Sequence, residues 1–529
     1  MHNPIIMKKK IVILLLLCIS VLCHAQRITL GSNSPLQKLQ IAEMAVTNLY
    51  VDSVDEGKLV EDAIRGMLKE LDPHSTYTTA KETKAMTEPL QGSFEGIGVQ
   101  FNMAQDTLLI IQTIVNGPSE KVGILAGDRI VSVDDTIIAG VKMSREDIVR
   151  RLRGKKGTKV NLKIMRRGIA DLLPFTVIRG KIPLKTIDAA YMIRPEIGYI
   201  RISGFGATTY DEFMQGVDSL KRHGMKDLIV DLQENGGGYL QSAVQIANEF
   251  LQKNDLIVYT EGRTASRQDF RADGKGRLLD GRVVMLVNEY SASAAEILSG
   301  AMQDQDRGQI VGRRSFGKGL VQRPIEFSDG SMVRLTVAHY YTPSGRCIQK
   351  PYEKGDKAEY EMDIEKRFKH GELYHRDSIH FDDSLKYYTL RRKAVVYGGG
   401  GIMPDFFVPL DTTKFTPYHR QLSAKSVIIN ASLRYVDQNR KELKKKYKNF
   451  EDYKNQFEIP QSLLQDVFDE GEKVKAKLKD EEERRQSLPM IKMQLKALIA
   501  RDLWDMTEYF QISNEENDIV RKAIDILGT

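Results

Sequence analysis

The pattern that most restricts the fold lies between residues 197 and 302, where apolar runs of strand length alternate with stretches of helical length. The strands are predicted at 197–202, 227–232 and 283–287, and the helices at 211–222, 240–251 and 294–302. Strands separated by helices need right-handed crossovers, which leave the strands parallel. The sequence therefore predicts a largely parallel α/β core.

The segments on either side of this core follow different patterns. Residues 37–89 and 411–529 read as helices, whereas 92–181 reads as short strands with one helix that Ser144 could cap. Strands with a single such helix suggest a small mixed barrel or sandwich. The predicted regions are a signal peptide, a helical region, a β-rich domain, an α/β core and a second helical region, at 1–25, 26–91, 92–182, 183–410 and 411–529.

The N-terminus has the layout of a secretory signal. Three lysines at positions 8–10 precede an apolar run at 11–22, and Ala25 offers a small residue for cleavage. The run is too short for a membrane-spanning helix of about 20 residues. Lipidation of Cys23 is the alternative, which Leu22 disfavours because a small residue is expected there. The sequence therefore predicts export.

Composition excludes other classes of function. The formal charge is +7, from 78 basic and 71 acidic residues spread over 529 positions, so nucleic-acid binding is not expected. His370, His375 and His380 are five residues apart, a poor spacing for one metal ion, and we expect neither a metal nor a cofactor. Outside the predicted signal only Cys347 remains, so no internal disulfide is expected.

Ser293 is the candidate nucleophile. It follows the apolar run at 283–287 and opens the next helix, where free backbone amides and the helix dipole favour negative charge. The amide of Ala294 could donate to an oxyanion there. A plain N-cap serine is the alternative, and Ser291 competes with Ser293 for the role.

Lys318 is the candidate base. It lies between Gly317 and Gly319, and a lysine held neutral by burial can take the proton of a serine hydroxyl. An ordinary surface lysine is the alternative. Gln322 lies four residues further on and could orient the amine if the chain bends at Gly319; otherwise it is an exposed strand glutamine.

Three further residues have predicted roles around Ser293. Gly237, in a glycine-rich turn after the strand at 227–232, could supply a second oxyanion donor, with a plain tight turn as the alternative. Asp304 is about 16 Å from Ser293 along a continuous helix, so we expect a structural role, pairing with Arg307 or bracing the loop to Lys318. Glu296 is expected to support the first helical turn.

Several motifs, in this order along the chain, resemble the carboxyl-terminal processing peptidases, a family of PDZ-containing serine proteases with a Ser–Lys dyad that includes the tail-specific proteases. The resemblance covers about residues 37–410. The matching stretches lie at 71–75, 94–99, 231–240, 291–304, 315–322, 340–346 and 399–405.

The resemblance implies a multidomain α/β protein, with a ClpP/crotonase-like protease core, an inserted PDZ domain and helical N- and C-terminal regions. It assigns Ser293 as nucleophile, Lys318 as base and Gln322 as the residue that orients the lysine, with Ala294 and Gly237 as oxyanion donors. The PDZ carboxylate-binding loop matches Gly96, Ile97, Gly98 and Val99. One departure is Gln233, which stands where the family has arginine and leaves the support of the glycine turn open.

The function implied is that of a periplasmic endopeptidase, with membrane attachment left open, that binds C-terminal tails through its PDZ domain and cleaves through an acyl-enzyme. The partners expected are proteins or peptides with accessible apolar C-termini. An activating or adaptor protein and a homo-oligomer are left open. A catalytically silent PDZ adaptor is the alternative, which the intact Ser293, Lys318 and Gln322 disfavour.

Overall fold

The computed structural model describes residues 34–104 and 106–528, and the predicted signal peptide lies outside them. The chain divides into two compact units, with the boundary between Glu70 and Leu71. The described part of the first unit contains two helices, α1 (Pro35–Leu49) and α2 (Glu56–Lys69). Asp55 caps α2 by accepting a hydrogen bond from the amide of Lys58 (3.0 Å).

The second unit begins with the predicted PDZ domain and its entry segment. Its elements are β1 (Thr76–Thr78), α3 (Ala80–Leu90), β2 (Ser93–Gly96), β3 (Val99–Ala104), β4 (Thr107–Thr113), α4 (Pro118–Lys121), β5 (Arg129–Val133), β6 (Thr136–Ile137), α5 (Arg145–Leu152), β7 (Lys159–Met165), β8 (Leu173–Ile178) and β9 (Gly180–Pro183). The strands β3, β4, β5, β7 and β8 form one antiparallel sheet in that order. Ser144 caps α5, as the sequence predicts.

The α/β core follows directly. Its elements are β10 (Ile187–Arg194), β11 (Ile197–Ile202), α6 (Thr209–Arg222), β12 (Asp227–Asp231), α7 (Leu240–Asn248), β13 (Leu256–Glu261), β14 (Gln268–Arg271), β15 (Val283–Val287), α8 (Ala294–Asp304), β16 (Gln309–Gly312), β17 (Leu320–Glu326) and β18 (Met332–Tyr341). Each predicted strand and helix of the core is present, with ends that shift by a few residues at most.

The remaining elements extend from the core to the C-terminus. They are α9 (Lys357–Glu361), α10 (Asp363–Lys369), β19 (Lys386–Tyr388), β20 (Val395–Tyr397), β21 (Phe406–Phe407), α11 (Pro417–Ala424), α12 (Val427–Lys446), α13 (Phe450–Gln456), α14 (Gln461–Lys473), α15 (Glu481–Leu503), α16 (Met506–Ser513) and α17 (Asp518–Gly528). In the described ranges, no helix is both apolar and long enough to cross a membrane.

The central sheet has the order β10-β11-β12-β15-β16-β21, and all of its neighbouring pairs are parallel except β10 with β11. Helices α6, α7 and α8 bury their apolar faces on one side of it. On the other side, apolar residues of α17 pack against the same strands. The predicted parallel α/β core is confirmed, and the last helix of the chain helps to cover it.

A second sheet, β1-β18-β13-β14 with β17 paired to β18, adjoins this core. Its strand β17 begins two residues after Lys318, so the pairing of β17 with β18 fixes where the lysine loop ends. The central sheet ends its strand β15 six residues before Ser293. The two predicted catalytic residues therefore come from different sheets, and only their packing can bring them together.

The C-terminal helices form a hydrophobic core of their own. One of them also packs against the sheet of the predicted PDZ domain. Leu433 of α12 packs against Leu109 and Ile111 of β4. Arg129 of β5 forms an ion pair with Asp437 of α12 (2.9 Å), whose side chain is largely buried. The PDZ domain is therefore attached to the C-terminal region by an apolar patch and a buried carboxylate.

Candidate active site

Ser293 lies at the turn between β15 and α8 in a strained backbone conformation, with φ 57° and ψ −114°. A serine held in a sharp strand-to-helix turn projects its hydroxyl away from the backbone, and such strain concentrates at functional sites. Ser291 is fully buried, and its hydroxyl donates to the carbonyl of Leu232 (2.7 Å) and accepts from the amide of Asn288 (2.9 Å). The two competing serines therefore differ: the Ser291 hydroxyl is held by structural bonds to Leu232 and Asn288, whereas Ser293 is the N-cap of α8 and its amide is bound to Glu296.

Lys318 lies in the loop between β16 and β17 with its side chain mostly buried. Burial, and after it the neighbouring guanidinium of Arg334, lower the pKa of Lys318 to about 8 against the opposing effect of the carboxylates of Glu296 and Asp72. With a pKa of about 8, roughly a tenth of the amine is neutral at pH 7. The site thus supplies the neutral lysine that the predicted mechanism needs.

Glu296 joins the two predicted catalytic residues. One of its carboxylate oxygens, Oε2, accepts from the amides of Ser293 (2.8 Å) and Lys318 (2.9 Å). The other, Oε1, accepts from the hydroxyl of Ser315 (2.5 Å) and the amide of Gly317 (2.7 Å). The sequence predicts only support of the first helical turn, and the structure adds the whole lysine loop to that role. Burial raises the pKa of Glu296, and these four donors oppose the rise.

Gln322 does not contact the lysine amine in this structure. Its side-chain amide donates to the hydroxyl of Thr336 (3.3 Å), and among the described residues no hydrogen bond links it to Lys318. Nor does one link the Ser293 hydroxyl with the Lys318 amine in the same ranges. The roles predicted for Ser293, Lys318 and Gln322 in proton transfer stay predictions. The backbone amides of Ser293 and Lys318 are both bound to Glu296.

A buried network that the sequence analysis did not assign lies beside the lysine. Asp72 accepts from the amides of His74 (2.8 Å) and Ser75 (3.0 Å) and from the hydroxyl of Thr336 (3.0 Å). Burial and the nearby Lys318 cation lower the pKa of His74 to about 3, so the imidazole is neutral at pH 7. The motif at 71–75, which supports the family resemblance, is the sequence signal that could have indicated these site residues.

Arg334 is a second unassigned residue. It lies two residues before Thr336 on β18, so the two side chains share one face of the strand. Its Nε is buried, and within the described ranges this atom has no hydrogen-bond partner. Half-burial lowers the pKa of Arg334, yet the guanidinium stays charged near Lys318. A fixed positive charge therefore faces the predicted base.

Gly237 lies against the predicted nucleophile. A side-chain β-carbon at this position would come within 2.7 Å of the β-carbon of Ser293, and its φ of +98° also favours glycine. Its amide, however, donates to Oδ1 of Asn235 (2.8 Å), so in this structure it is engaged within its own turn. Ala294 occupies the first helical position, where an amide has no partner within the helix. The two predicted oxyanion donors therefore differ in their availability.

Arg201 supports the glycine-rich turn, whose support the sequence left open because Gln233 stands in place of the family's arginine. The Arg201 guanidinium donates to the buried carboxylate of Asp231 (2.8 Å) and to the carbonyl of Gln233 (3.0 Å). It comes from the neighbouring strand β11 and lies 4.6 Å from the ring centre of Phe510. An arginine from another strand thus stabilises this turn. Because Arg201 is 30 residues from Asp231 and 32 from Gln233 in sequence, no local pattern indicates it.

The predicted pairing of Asp304 with Arg307 is wrong. Asp304 is fully buried and forms an ion pair with Arg346 (2.7 Å), which is also fully buried, and it accepts from the amide of Ser344 (3.0 Å). Arg307 instead donates to backbone carbonyls, including that of Phe250 (3.0 Å). Asp304 keeps the structural role that its helical distance from Ser293 predicts, with a partner from the loop after β18.

The predicted carboxylate-binding loop, Gly96 to Val99, joins β2 to β3. Gly98 has a φ of +74°, and the carbonyl of Ile97 accepts from the amide of Ser119 (3.0 Å), which holds the loop in place. The following strand β3 is at the edge of its sheet, and α5 lies beside it. An open strand edge next to a helix suits a peptide that binds as an added strand.

No group of three or more metal-ligating side chains is clustered within the described residues. The predicted absence of a metal and of a cofactor stays a prediction.

Comparison with known proteins gives four family matches. Peptidase family S41 matches residues 196–358, and the PDZ domain matches residues 96–173. The N-terminal domain of the activating protease CtpB matches residues 22–83, and a family of unknown function matches residues 418–505. The matches to S41 and PDZ fall on the α/β core and on the β3–β8 sheet.

Curated relatives that align over more than half of this chain are carboxy-terminal processing proteases. The carboxy-terminal processing protease CtpA of Bacillus subtilis is 36% identical over 349 residues, which cover 64% of this chain and 74% of that protein. The carboxy-terminal-processing protease of Bartonella bacilliformis is 36% identical over 341 residues, covering 62% of this chain and 77% of the relative. A solved structure, the photosystem II D1 C-terminal processing protease, is 29% identical, covers 60% of this chain and 90% of its own, and has a TM-score of 0.34.

Proposed function

Since the chain belongs to the carboxy-terminal processing serine proteases of peptidase family S41, we propose that Ser293 is its nucleophile and Lys318 its general base. The observation that carries this proposal is the single oxygen of Glu296 that accepts from the amides of both residues. Two segments 25 residues apart in sequence are thereby fixed to one acceptor. The strained turn at Ser293 and the lowered pKa of Lys318 support it further.

In the proposed reaction, neutral Lys318 takes the proton of the Ser293 hydroxyl as the serine oxygen attacks a peptide carbonyl. The amide of Ala294, at the N-terminus of α8, donates to the oxyanion that forms. Lys318 then returns its proton to the leaving amine, which leaves an acyl-enzyme on Ser293. Water, deprotonated by the same lysine, then attacks the acyl carbonyl; the ester bond to Ser293 breaks, and Lys318 gives its proton to the serine oxygen, which restores the neutral amine and the hydroxyl.

The proposed substrates are proteins with accessible apolar C-terminal tails. The tail would add to the open edge of β3, with its carboxylate on the loop from Gly96 to Val99. Phe101 of β3 is partly exposed and packs against the apolar core that contains Ile148 and Leu152 of α5, which offers an apolar surface for tail side chains. Cleavage would follow at a site upstream of the bound carboxylate.

We further propose that the protein is exported to the periplasm. The basis is the sequence of residues 8–25, which lie outside the described residues. Edman sequencing of the mature protein would begin at Gln26 if cleavage follows Ala25. A mature N-terminus at a lipid-modified Cys23 would contradict that site and would favour membrane attachment.

The catalytic proposal is tested with Ser293→Ala and Lys318→Ala on a tailed protein substrate, followed by mass mapping of the cut sites. Each variant is expected to lose cleavage while its circular dichroism shows the same folded state as the parent. The exposed lysine variant Lys354→Ala is the matched control and should cleave normally. Full cleavage by either catalytic variant would overturn the mechanism.

A serine-reactive fluorophosphonate probe separates the enzyme from a silent adaptor. Labelling of the parent that disappears in Ser293→Ala supports the enzyme. Absence of labelling in a folded parent that still binds a tail peptide would instead favour a PDZ adaptor that has lost its activity.

A further inference from the structure

A helical segment that follows β18 covers the loop of Lys318. It contains α9 and α10, at residues 357–369, and Tyr360 of α9 is almost completely buried, with 5% of its side chain exposed. The match to the peptidase family S41 model ends at residue 358, two residues before Tyr360. None of the catalytic steps above uses this segment.

The ring of Tyr360 packs against the 71–75 motif on one side and against the start of the lysine loop on the other. Edge-to-face contacts join it to His74 (ring centres 5.2 Å apart) and to Phe316 (5.8 Å), two residues before Lys318. Its hydroxyl lies 2.9 Å from Nε2 of His74. The aromatic ring thus closes the lysine loop against the 71–75 motif.

Through the side chain of Gln349, the hydroxyl of Tyr360 is also linked to Gly319, the residue after Lys318. It accepts a hydrogen bond from the side-chain amide of Gln349 (3.3 Å), whose oxygen in turn accepts from the amide of Gly319 (2.8 Å). Phe316 and Gly319 lie on either side of Lys318 in the sequence. Tyr360 is therefore tied to the chain both before and after the lysine.

The helical segment is fastened firmly to this loop. Arg367 of α10, with 2% exposure, donates to the carbonyls of Ser315 (3.0 Å) and Arg314 (2.6 Å). The amine of Lys350 forms an ion pair with Asp363 (3.0 Å) and lies 4.1 Å from the ring centre of Tyr360. These charge-assisted contacts hold the segment against the loop.

We propose that residues 357–369 form a lid that keeps water away from Lys318, with Tyr360 as the positioning residue that seals it. This inference rests on the proposed role of Lys318 as base. Tyr360 touches neither substrate nor the reacting atoms, and acts through the environment of the lysine. The charged groups that face Lys318 are Glu296 from α8, Arg334 from β18 and Asp72 from the turn before β1, and His74 beside them is neutral.

The electrostatics of the lysine are consistent with such a seal. Burial is the largest cause that lowers the pKa of Lys318, ahead of the neighbouring Arg334. Water admitted beside the amine would favour its charged form and raise its pKa towards the ordinary value of 10.5. Because the neutral amine is the active form, an open lid would move activity to higher pH.

The test compares Tyr360→Ala, which opens the seal, with Tyr360→Phe, which keeps the ring and removes only the hydroxyl. In Tyr360→Ala the midpoint of the rising limb of kcat/KM against pH is expected to move up by about one pH unit, with a roughly tenfold loss at pH 7. Tyr360→Phe should keep the midpoint of the parent. A kcat/KM midpoint unchanged in Tyr360→Ala, together with an unchanged acetylation profile of Lys318, would overturn the lid.

A readout without turnover separates this inference from the catalytic proposal. In the Ser293→Ala background, the rate of Lys318 acetylation is followed against pH by peptide mass mapping, with and without Tyr360→Ala. The lid predicts faster acetylation at high pH and a higher midpoint in the Tyr360→Ala protein. If acetylation shifts but the kcat/KM profile does not, the lid stands and Lys318 is not the base; if neither shifts, the lid is wrong. Should Tyr360→Ala unfold, Tyr360→Leu takes its place, with the same expected direction and the same overturning result.

Discussion

The backbone amides of Ser293 and Lys318 donate to the same oxygen atom, Oε2 of Glu296, at 2.8 and 2.9 Å. Their two nitrogens therefore lie within about 6 Å of each other. Since Ser293 follows the central sheet and Lys318 precedes a strand of the second sheet, Glu296 couples the two sheets at the point where the chemistry is proposed. A shift of either segment changes the geometry of both.

Glu296→Gln should disrupt this coupling with little change in volume. The glutamine keeps one acceptor oxygen and places an NH2 group against backbone donors, which leaves buried amides unsatisfied at a cost of about 1–3 kcal/mol each. We expect kcat/KM to fall by roughly 100-fold, because catalysis is sensitive to misplacement of about 1 Å. Urea denaturation and fluorophosphonate labelling measure the two effects. Glu146→Gln, at an exposed position of α5, is the control, and parent-like labelling in Glu296→Gln would contradict the coupling.

The glycine turn provides a matched pair of variants. Gly237→Ala places a methyl group 2.7 Å from the β-carbon of Ser293, and the position needs a positive φ of +98°. At Gly236 an added β-carbon meets nothing within 4 Å. We expect Gly237→Ala to lose cleavage by at least about 100-fold and Gly236→Ala to retain most of it. Equal activity of the two variants in a peptide cleavage assay would argue against close packing of this turn on Ser293.

The pH dependence of cleavage should follow the titration of Lys318. Its pKa of about 8 predicts that kcat/KM rises as pH increases and is half-maximal near pH 8, because the neutral amine is the base. The Arg334 cation lowers this pKa, so Arg334→Gln should raise it and move the rising limb to higher pH. Profiles of the parent, Arg334→Gln and the exposed control Arg323→Gln test the direction. A downward shift in Arg334→Gln would refute it.

The same lysine should destabilise the fold at neutral pH. Its folded pKa of about 8 lies below its ordinary 10.5, so the unfolded chain binds more protons between these values and stability increases with pH across this window. The penalty is complete below pH 8 and amounts to about 3 kcal/mol. Lys318→Met should therefore unfold at higher urea concentration at pH 7, with an advantage that shrinks by about half at pH 9.5. An advantage independent of pH would show that the lysine is charged without penalty.

Arg201 should stabilise the glycine turn through Asp231. Removing one member of a buried ion pair leaves its partner uncompensated, at a typical cost of 3–5 kcal/mol. Arg201→Met is therefore expected to lower the free energy of unfolding by about 3 kcal/mol, and addition of Asp231→Asn should recover part of it. The exposed variant Arg194→Met serves as the control in urea denaturation. If Arg201→Met were as stable as that control, another group would have to stabilise Asp231.

Much of the fold could be read from local pattern. The alternation of apolar runs and helical stretches predicts β11, β12 and β15 and the helices between them, because strand and helix periodicity depend on neighbouring residues only. Ser144 as the cap of α5 is local chemistry of the same kind. The pairing of Asp304 with Arg307 was predicted on the same local basis and is wrong, because its partner Arg346 comes from 42 residues away.

The candidate site, too, was predictable from the sequence only in part. By itself the sequence determined the α/β core, the family and the positions of Ser293 and Lys318, because motifs and periodicity are properties of contiguous residues. Only the tertiary structure decided that Glu296 binds both segments, that Gly237 turns its amide towards Asn235, and that Tyr360 packs against His74 and Phe316 beside the lysine loop. These are contacts between segments far apart in the chain. Their geometry, and with it the burial that lowers the pKa of Lys318, follows from packing that no local pattern encodes.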